Sequence, residues 1–187
     1  MADTSVRPAR PDDAPLIAAV QGAVWSQVYA GLLPPDTLAG AGSADAVATW
    51  RQAIDAPPSA QHRVLVALAD DEVVGFVAMA PSSDPDLVAP EDVEVHALCV
   101  APERTRVGHG SRLVNATADV MRGLAVGHLH VWVSDWEKGL RQFLERSGWA
   151  DDGARRRLDL RGDGEVVVDQ VRLATALADP SMTGSRS

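Results

Sequence analysis

Two groups of residues in the middle of the chain are of types that do chemistry. Glu94 and His96 stand two apart in Val93–Val100, a run that is otherwise apolar and rich in β-formers. Side chains alternate faces along a strand. Glu94, His96 and Leu98 are therefore expected on one side, and Val95, Ala97 and Cys99 on the other. Placing a carboxylate and an imidazole in a covered strand is costly without a partner or a purpose. Glu94 is a candidate general base, a group type that contributes ~10²–10⁴-fold; a solvated strand end or an arginine partner is the alternative. His96, with an ordinary pKa of about 6.5, is a candidate proton relay, or else a hydrogen-bonded cleft or core histidine.

The second group follows directly. Ala101-Pro102 ends the strand, since proline has no N–H for a ladder. Gly108 and Gly110 then lead into Ser111–Met121, where Leu113, Val114, Ala118 and Met121 recur at helical spacing. A loop running into a helix offers unpaired N–H groups and the positive end of the helix dipole. Arg104, Arg106 and Arg112 add charge, so the chemistry is capture of a phosphate or pyrophosphate. Gly-x-Gly alone is a weak signal. A dinucleotide fold wants a third glycine where Leu113 stands.

The elements that must position these groups can be read along the chain. Val6–Ala9 is a short strand. A helix starts at Asp12 or Asp13, buries Leu16, Ile17 and Val20, and either continues through Trp25, Val28 and Tyr29 or breaks near Gly22. Gly31 to Pro35 stops it, and 39–43 is a small loop. Ser43 or Asp45 caps a second helix through Val47, Trp50, Arg51 and Ile54. Strands Arg63–Ala69 and Glu72–Ala80 meet at Asp70-Asp71, with Gly75 open to a bulge. Pro81–Pro90 is a mobile loop, either a substrate-side flap or plain surface. His128–Val133 is a strand and Asp135–Ser147 a helix with Leu140, Phe143 and Leu144 inward. Trp149–Leu160 and Glu165–Leu173 form an antiparallel pair. Residues 6–177 are expected as one domain, with 1–5 and 178–187 disordered. The order β-α-α-β-β-β-α-β-α-β-β predicts an α/β fold: a mixed sheet with helices on both faces.

Thr105-Arg106-Val107-Gly108-His109-Gly110 resembles the [QR]-x-x-G-x-[GA] of motif A in the GNAT superfamily of acetyl-CoA-dependent N-acetyltransferases. Thr105 departs from its first position, and Arg104 stands one place earlier as a substitute. Trp25-x-x-x-Tyr29-x-Gly-Leu-Leu-Pro is similar to the family's first-helix region, which borders the acceptor cleft; the alternative is that Trp25 and Tyr29 are core. The resemblance runs from Val6 to about Leu173. It implies the GNAT fold, a mixed and mostly antiparallel sheet of about six or seven strands. It also implies acetyl-CoA as cofactor and direct transfer to a primary amine, on a small molecule or a peptide. Main-chain groups of Leu98, Cys99 and Val100 would polarise the thioester and pair with pantetheine. Arg104, Thr105, Arg106, Val107, Gly108, His109, Gly110 and Ser111 would hold the diphosphate, with Phe143 also against the cofactor. Glu94 falls where GNAT enzymes place a proton-taking glutamate, with His96 and Tyr29 as further catalytic candidates. Trp25 and Tyr29 would border the acceptor.

The family pattern N-x-x-A-x-x-F-Y-x-x-x-G-F aligns with Glu137, Leu140, Phe143, Leu144, Gly148 and Trp149, and two of its departures bear on the chemistry. Glu137 replaces the Asn, and Leu144 replaces the Tyr that commonly protonates the departing thiolate. Water or Tyr29 then takes that role, or the chain binds acyl-CoA without transferring it. A third alternative is an ATP- or NAD-binding α/β protein using the same loop.

Composition narrows the partners. A net charge of −9 argues against nucleic acid. Cys99 is the only cysteine, so no intrachain disulfide forms and no cysteine-rich metal site exists. As a nucleophile forming an acyl-enzyme, Cys99 competes with a spectator role. His128-x-His130 supplies two ligands without a third, so no metal is expected. No apolar run approaches the ~20 residues of a membrane span, so a soluble cytoplasmic protein with no membrane partner is expected. Oligomeric state stays open, a homodimer included. Arg155-Arg156-Arg157 either draws an anionic partner or forms a solvated strand edge.

Overall fold

Valine, leucine and alanine dominate the runs on either side of Asp70-Asp71, and both runs fold as strands. The two aspartates turn the chain with φ of 49° and 66°, the left-handed pair that a tight hairpin needs. The computed structural model describes residues 4–177. In order these form β1 (Thr4–Pro8), α1 (Ala14–Val28), α2 (Pro35–Gly40), α3 (Ala44–Asp55), β2 (Arg63–Ala69), β3 (Glu72–Pro81) and β4 (Asp92–Val100). Then come α4 (His109–Arg122), β5 (His128–Ser134), α5 (Lys138–Arg146), β6 (Ala150–Asp159) and β7 (Val167–Ala176). The strands make one 7-stranded sheet in the order β1-β2-β3-β4-β5-β7-β6. Among the described residues its only parallel pair is β4–β5.

The strands and long helices follow the expected order. The short α2 is additional and occupies the stretch read as a stop and a loop. α1 runs through Gly22 without a break. Thr4 and Ser5, expected to be disordered, belong to β1 and pair with Ala69 and Leu68. Residues 1–3 and the expected tail 178–187 lie outside the described residues. Ser43 is the α3 cap, accepting from the Ala46 N–H at 3.2 Å. Asp13 does not cap α1 with its side chain. It takes two hydrogen bonds from Arg7 of β1, at 2.6 and 2.9 Å, and one from the Arg10 N–H at 2.7 Å. The Arg7 bonds hold its carboxyl below the usual range against the opposing effect of burial.

Apolar side chains fill both sides of the sheet. On one side Ile17 and Val20 of α1, with Trp50 and Ile54 of α3, pack on Val66, Phe76 and Cys99. On the other, Leu113, Val114 and Met121 of α4 and Leu144 of α5 pack on Leu65, Val77, Val95 and Leu129. Phe76 is fully buried, a contribution of roughly 1.5–3 kcal/mol.

Two bulges shape the centre of the sheet. Between β3 and β4 the pairing steps from Ala97 to Val95 and leaves His96 as the extra residue. The expected alternation therefore fails past that point. Val93 and Val95, then Leu98 and Val100, share the α4–α5 side, while Ala97 and Cys99 share the α1 side. An inserted residue shifts the period by one, so Leu98 leaves the side on which strict alternation put it with Glu94. Between β2 and β3 the pairing skips Val74, beside Gly75, where a bulge was expected.

The 82–91 segment, expected as a mobile loop, is tied down. Asp84 accepts from Trp132 Nε1 at 2.9 Å and from Arg172 at 3.1 Å, and Asp86 accepts from Arg172 at 2.9 Å. Arg172 also donates to Asp152 at 2.6 Å, joining the loop to β5, β6 and β7.

Gly75 gives the first testable consequence. A Cβ there would lie 2.8 Å from the Cys99 carbonyl oxygen, a backbone atom that cannot swing away. Gly75→Ala should lower stability by about 1–3 kcal/mol, read as a lower urea midpoint. An unchanged midpoint would mean that the β3–β4 pair yields at no cost.

Candidate active site

β4 and β5 run side by side for three residue pairs: Asp92–His128, Val93–Leu129 and Glu94–His130. Beyond Glu94 they separate. β4 continues to Val100 paired only with β3, and β5 continues to Ser134 paired only with β7. The edge of β4 that faces β5 is thus left without a strand partner from Val95 onward. In open α/β sheets, ligands sit beyond the carboxyl ends of parallel strands, where such a gap opens. Leu98, Cys99 and Val100 lie along this free edge.

The chain leaves β4 through Ala101 and a 3-10 turn, Pro102–Arg104, and enters α4 at Gly108. Gly108 has φ +94° and Arg106 +66°, so two left-handed residues curl the loop. No side chain caps α4. The first N–H of the helix to meet a backbone carbonyl is that of Arg112, on Gly108 at 3.1 Å. The N–H groups of Gly108, His109, Gly110 and Ser111 stand before it at the positive end of the dipole. Arg104 lies on Glu72 at 3.2 Å, and Arg112 reaches the Val107 carbonyl at 3.4 Å. Thr105 donates to the Pro102 carbonyl at 3.0 Å, so its hydroxyl braces the turn. Val107 is exposed. The Phe143 ring lies 3.4 Å from where a Cβ on Gly110 would be, docking α5 on the start of α4.

The His109 side chain is turned inward. It is 4% exposed and faces a recess with Thr4, Ala69 and Val107, and its Nδ1 has no partner among the described residues. Burial, with Arg112 and Arg104 nearby, lowers its pKa and keeps it neutral. Its main-chain N–H stands with those of Gly108, Gly110 and Ser111 at the start of α4.

On the α1 side, a cleft of about 230 Å³ opens over the point where the strands part. Glu94 is buried there at 5% exposure. His96 Nδ1 lies 3.3 Å from its Oε1, with the imidazole 47% exposed. The bulge therefore brings the two groups together rather than separating them. Trp25 and Tyr29 form one wall; Tyr29 meets Trp25 edge-on at 5.6 Å and Trp136 at 6.2 Å, an aromatic bridge from α1 to the start of α5. Burial, with Glu137 and Cys99 nearby, pushes the Tyr29 phenol up to about 12. A phenol raised that far keeps its proton at neutral pH. Burial also pushes the Cys99 thiol up to about 12, so it remains protonated and unreactive. Leu144 lines an apolar space with Leu98 and Val95 on the opposite side of the sheet.

Glu137, Trp132, Gln170 and Arg156 also line the cleft, which the sequence did not show. Glu137 stands before α5 and accepts from the Ser134 N–H at 3.0 Å. Trp132 lies on β5, Gln170 on β7 and Arg156 on β6. Alternation along each strand carried a signal for the last three, but the facing side had to be known first. Burial, opposed by the Ser134 bonds, raises the Glu137 pKa. A carboxyl whose folded pKa exceeds its unfolded value stabilises the fold only while protonated. Stability is therefore lost as pH climbs from the unfolded value, about 4.3, through the folded one. Glu137→Gln, which keeps the bond to Ser134, should raise the thermal midpoint at neutral pH. That gain should shrink to nothing below about pH 4; a pH-independent difference would contradict this origin.

The acetyltransferase (GNAT) family model matches residues 26–149. A probable N-acetyltransferase of Mycobacterium tuberculosis is 26% identical over 152 residues, covering 79% of this chain and 80% of that protein. Among solved structures, the PaiA N-acetyltransferase of Thermoplasma acidophilum in complex with coenzyme A superposes with a TM-score of 0.73 at 16% identity, over 93% of this chain and 99% of that one. YncA of Salmonella typhimurium, described as a putative acetyltransferase with its cofactor acetyl-CoA, gives 0.70 at 16% identity, over 94% and 95%. A family model spanning 124 of 187 residues (26 through 149), on a fold whose parallel strand pair β4–β5 parts beside the start of α4, is decisive: the chain belongs to the GNAT acetyltransferase family.

Proposed function

We propose that the protein transfers an acetyl group from acetyl-CoA to a primary amine by direct attack, in the cytoplasm. The observation that carries this is the unpartnered edge of β4 beyond Glu94, continuing into the uncapped start of α4. Those main-chain groups need hydrogen-bond partners, and their order suits an extended pantetheine arm followed by a diphosphate. Arg106, exposed in the loop, adds charge beside Gly108. Acetyl-CoA supplies an activated acyl carbon as a thioester.

The chain's own groups divide the remaining work. A lysine-like amine has a pKa of about 10.4 and arrives protonated. Glu94 takes that proton, and His96, in contact with Glu94 and open to solvent, passes it outward. Main-chain N–H groups in Leu98–Val100 stabilise the charge developing on the carbonyl oxygen. Trp25 and Tyr29 border the incoming amine and exclude water from one side. Tyr29 steadies the leaving sulfur by a hydrogen bond, and water protonates it. Thiolate is a fair leaving group near neutral pH without an acid at Leu144.

Leu144 also favours a second reading, an acyl-CoA-binding module without turnover. Thiol release across an amine panel separates the two. Glu94→Gln should cut kcat by about 10²–10⁴-fold while acetyl-CoA affinity, measured by calorimetry, is kept. Tight acetyl-CoA binding without turnover of any amine would instead identify a binding module.

A further inference from the structure

The run Arg155-Arg156-Arg157 is divided by the strand. Arg155 lies on Asp151 at 2.8 Å and Arg157 on Asp169 at 3.5 Å, both at the surface. Arg156 alone turns into the cleft that holds Glu94. Its Nε donates to Gln170 Oε1 at 2.7 Å, and Gln170 is held in turn by Ser134 at 3.1 Å. Its guanidinium lies 4.3 Å above the Trp132 ring. These contacts fix the plane of the group but use only one of its nitrogens.

Arg172 supplies the contrast, because it also lies against Trp132, at 5.5 Å. It is saturated by Asp84, Asp86 and Asp152 and is 4% exposed. Arg156 has no carboxylate on it: Glu94 and Asp84 act on it only through space, and burial outweighs them. Its two terminal nitrogens have no hydrogen-bond partner among the described residues. A half-buried cation with a free, oriented fork matches a carboxylate presented edge-on. A dianionic phosphate would call on more than one cation, and the neighbouring arginines are already engaged.

We propose that Arg156, oriented by Trp132 and Gln170, is an acceptor-binding residue that grips a carboxylate on the amine substrate. This rests on the transferase reading of the cleft and narrows the acceptor to a small amino acid rather than a simple amine. Glu94 and Arg156 line the same cavity of about 230 Å³. The amine and the carboxylate must therefore be close together on one small molecule. Trp132 holds the guanidinium before the substrate arrives, so little ordering is required on binding.

The test uses matched acceptors: common α-amino acids, their carboxamides and their decarboxylated amines, with thiol release as readout. In the wild-type enzyme, kcat/KM should favour the amino acid over its carboxamide by about 10–100-fold, carried mainly by KM. In Arg156→Gln that preference should fall within about threefold, and Arg156→Lys should recover part of it. A wild-type ratio near one, or a ratio untouched in Arg156→Gln, overturns the proposal.

Calorimetric titration of N-acetyl amino acids, against their amides, into the CoA-saturated protein needs no turnover. Binding of the acids through Arg156 without turnover of any amine would defeat the transferase reading and keep the carboxylate site. Turnover of amines regardless of a carboxylate would do the reverse. Failure of every carboxylate-bearing compound to bind removes the site.

Discussion

Three residue pairs join β4 to β5, and beyond Glu94 the two strands separate. Parallel neighbours ordinarily continue their ladder, because unpaired backbone groups in a sheet are costly. Here they part while each stays bonded to its outer neighbour, β4 to β3 and β5 to β7. The gap is held from both sides. Leu98, Val114 and Leu144 line it towards α4 and α5, and Trp25, Tyr29 and Trp136 bridge it towards α1. A strand edge in want of a partner, an uncapped helix and a cleft over a buried carboxylate all follow from that one interruption.

The bulge at His96 sets the chemistry within the gap. Without it Leu98 would share the side of Glu94, and the apolar packing of α4 and α5 would lose a contact. With the extra residue, Leu98 joins Val95 on the packed side, and His96 sits beside Glu94 at the mouth of the cleft. A β-bulge next to a reaction centre re-aims side chains in this way. The narrow fit of Gly75 under the Cys99 carbonyl belongs to the same local design: β3 must approach closely where β4 is irregular.

Burial sorts the ionisable groups around the cleft. Tyr29 and Cys99 are held protonated by burial, and the Glu137 carboxyl is pushed up by the same cause. Arg172 is neutralised by three aspartates and locks the 82–91 loop onto β5, β6 and β7. Removing this buried cation would free the three carboxylates that tie the loop to β6 and β7. Against that background Glu94 with His96, and Arg156 with its free fork, are the groups we propose to meet a substrate.

Much of this architecture was legible in the residues themselves. Hydrophobic periodicity and turn residues give strands and helices directly, so the order of the strands and the long helices and the glycine-bearing turn into α4 could be read before any contact was known. So could Glu94 as a carboxylate needing an explanation. Local pattern reports hairpins such as β2–β3 and β6–β7, but not which distant strands pair or where pairing stops. The gap beyond Glu94, the bulge that moves Leu98 and gathers His96, the inward turn of the His109 imidazole and the anchoring of the 82–91 loop by Arg172 are decided by partners distant in sequence. Arg156 shows the division most clearly. Its sequence marks it as one of three adjacent arginines, and only the pairing of β6 with β7 and of β7 with β5 places it over Trp132, facing the same cleft as Glu94.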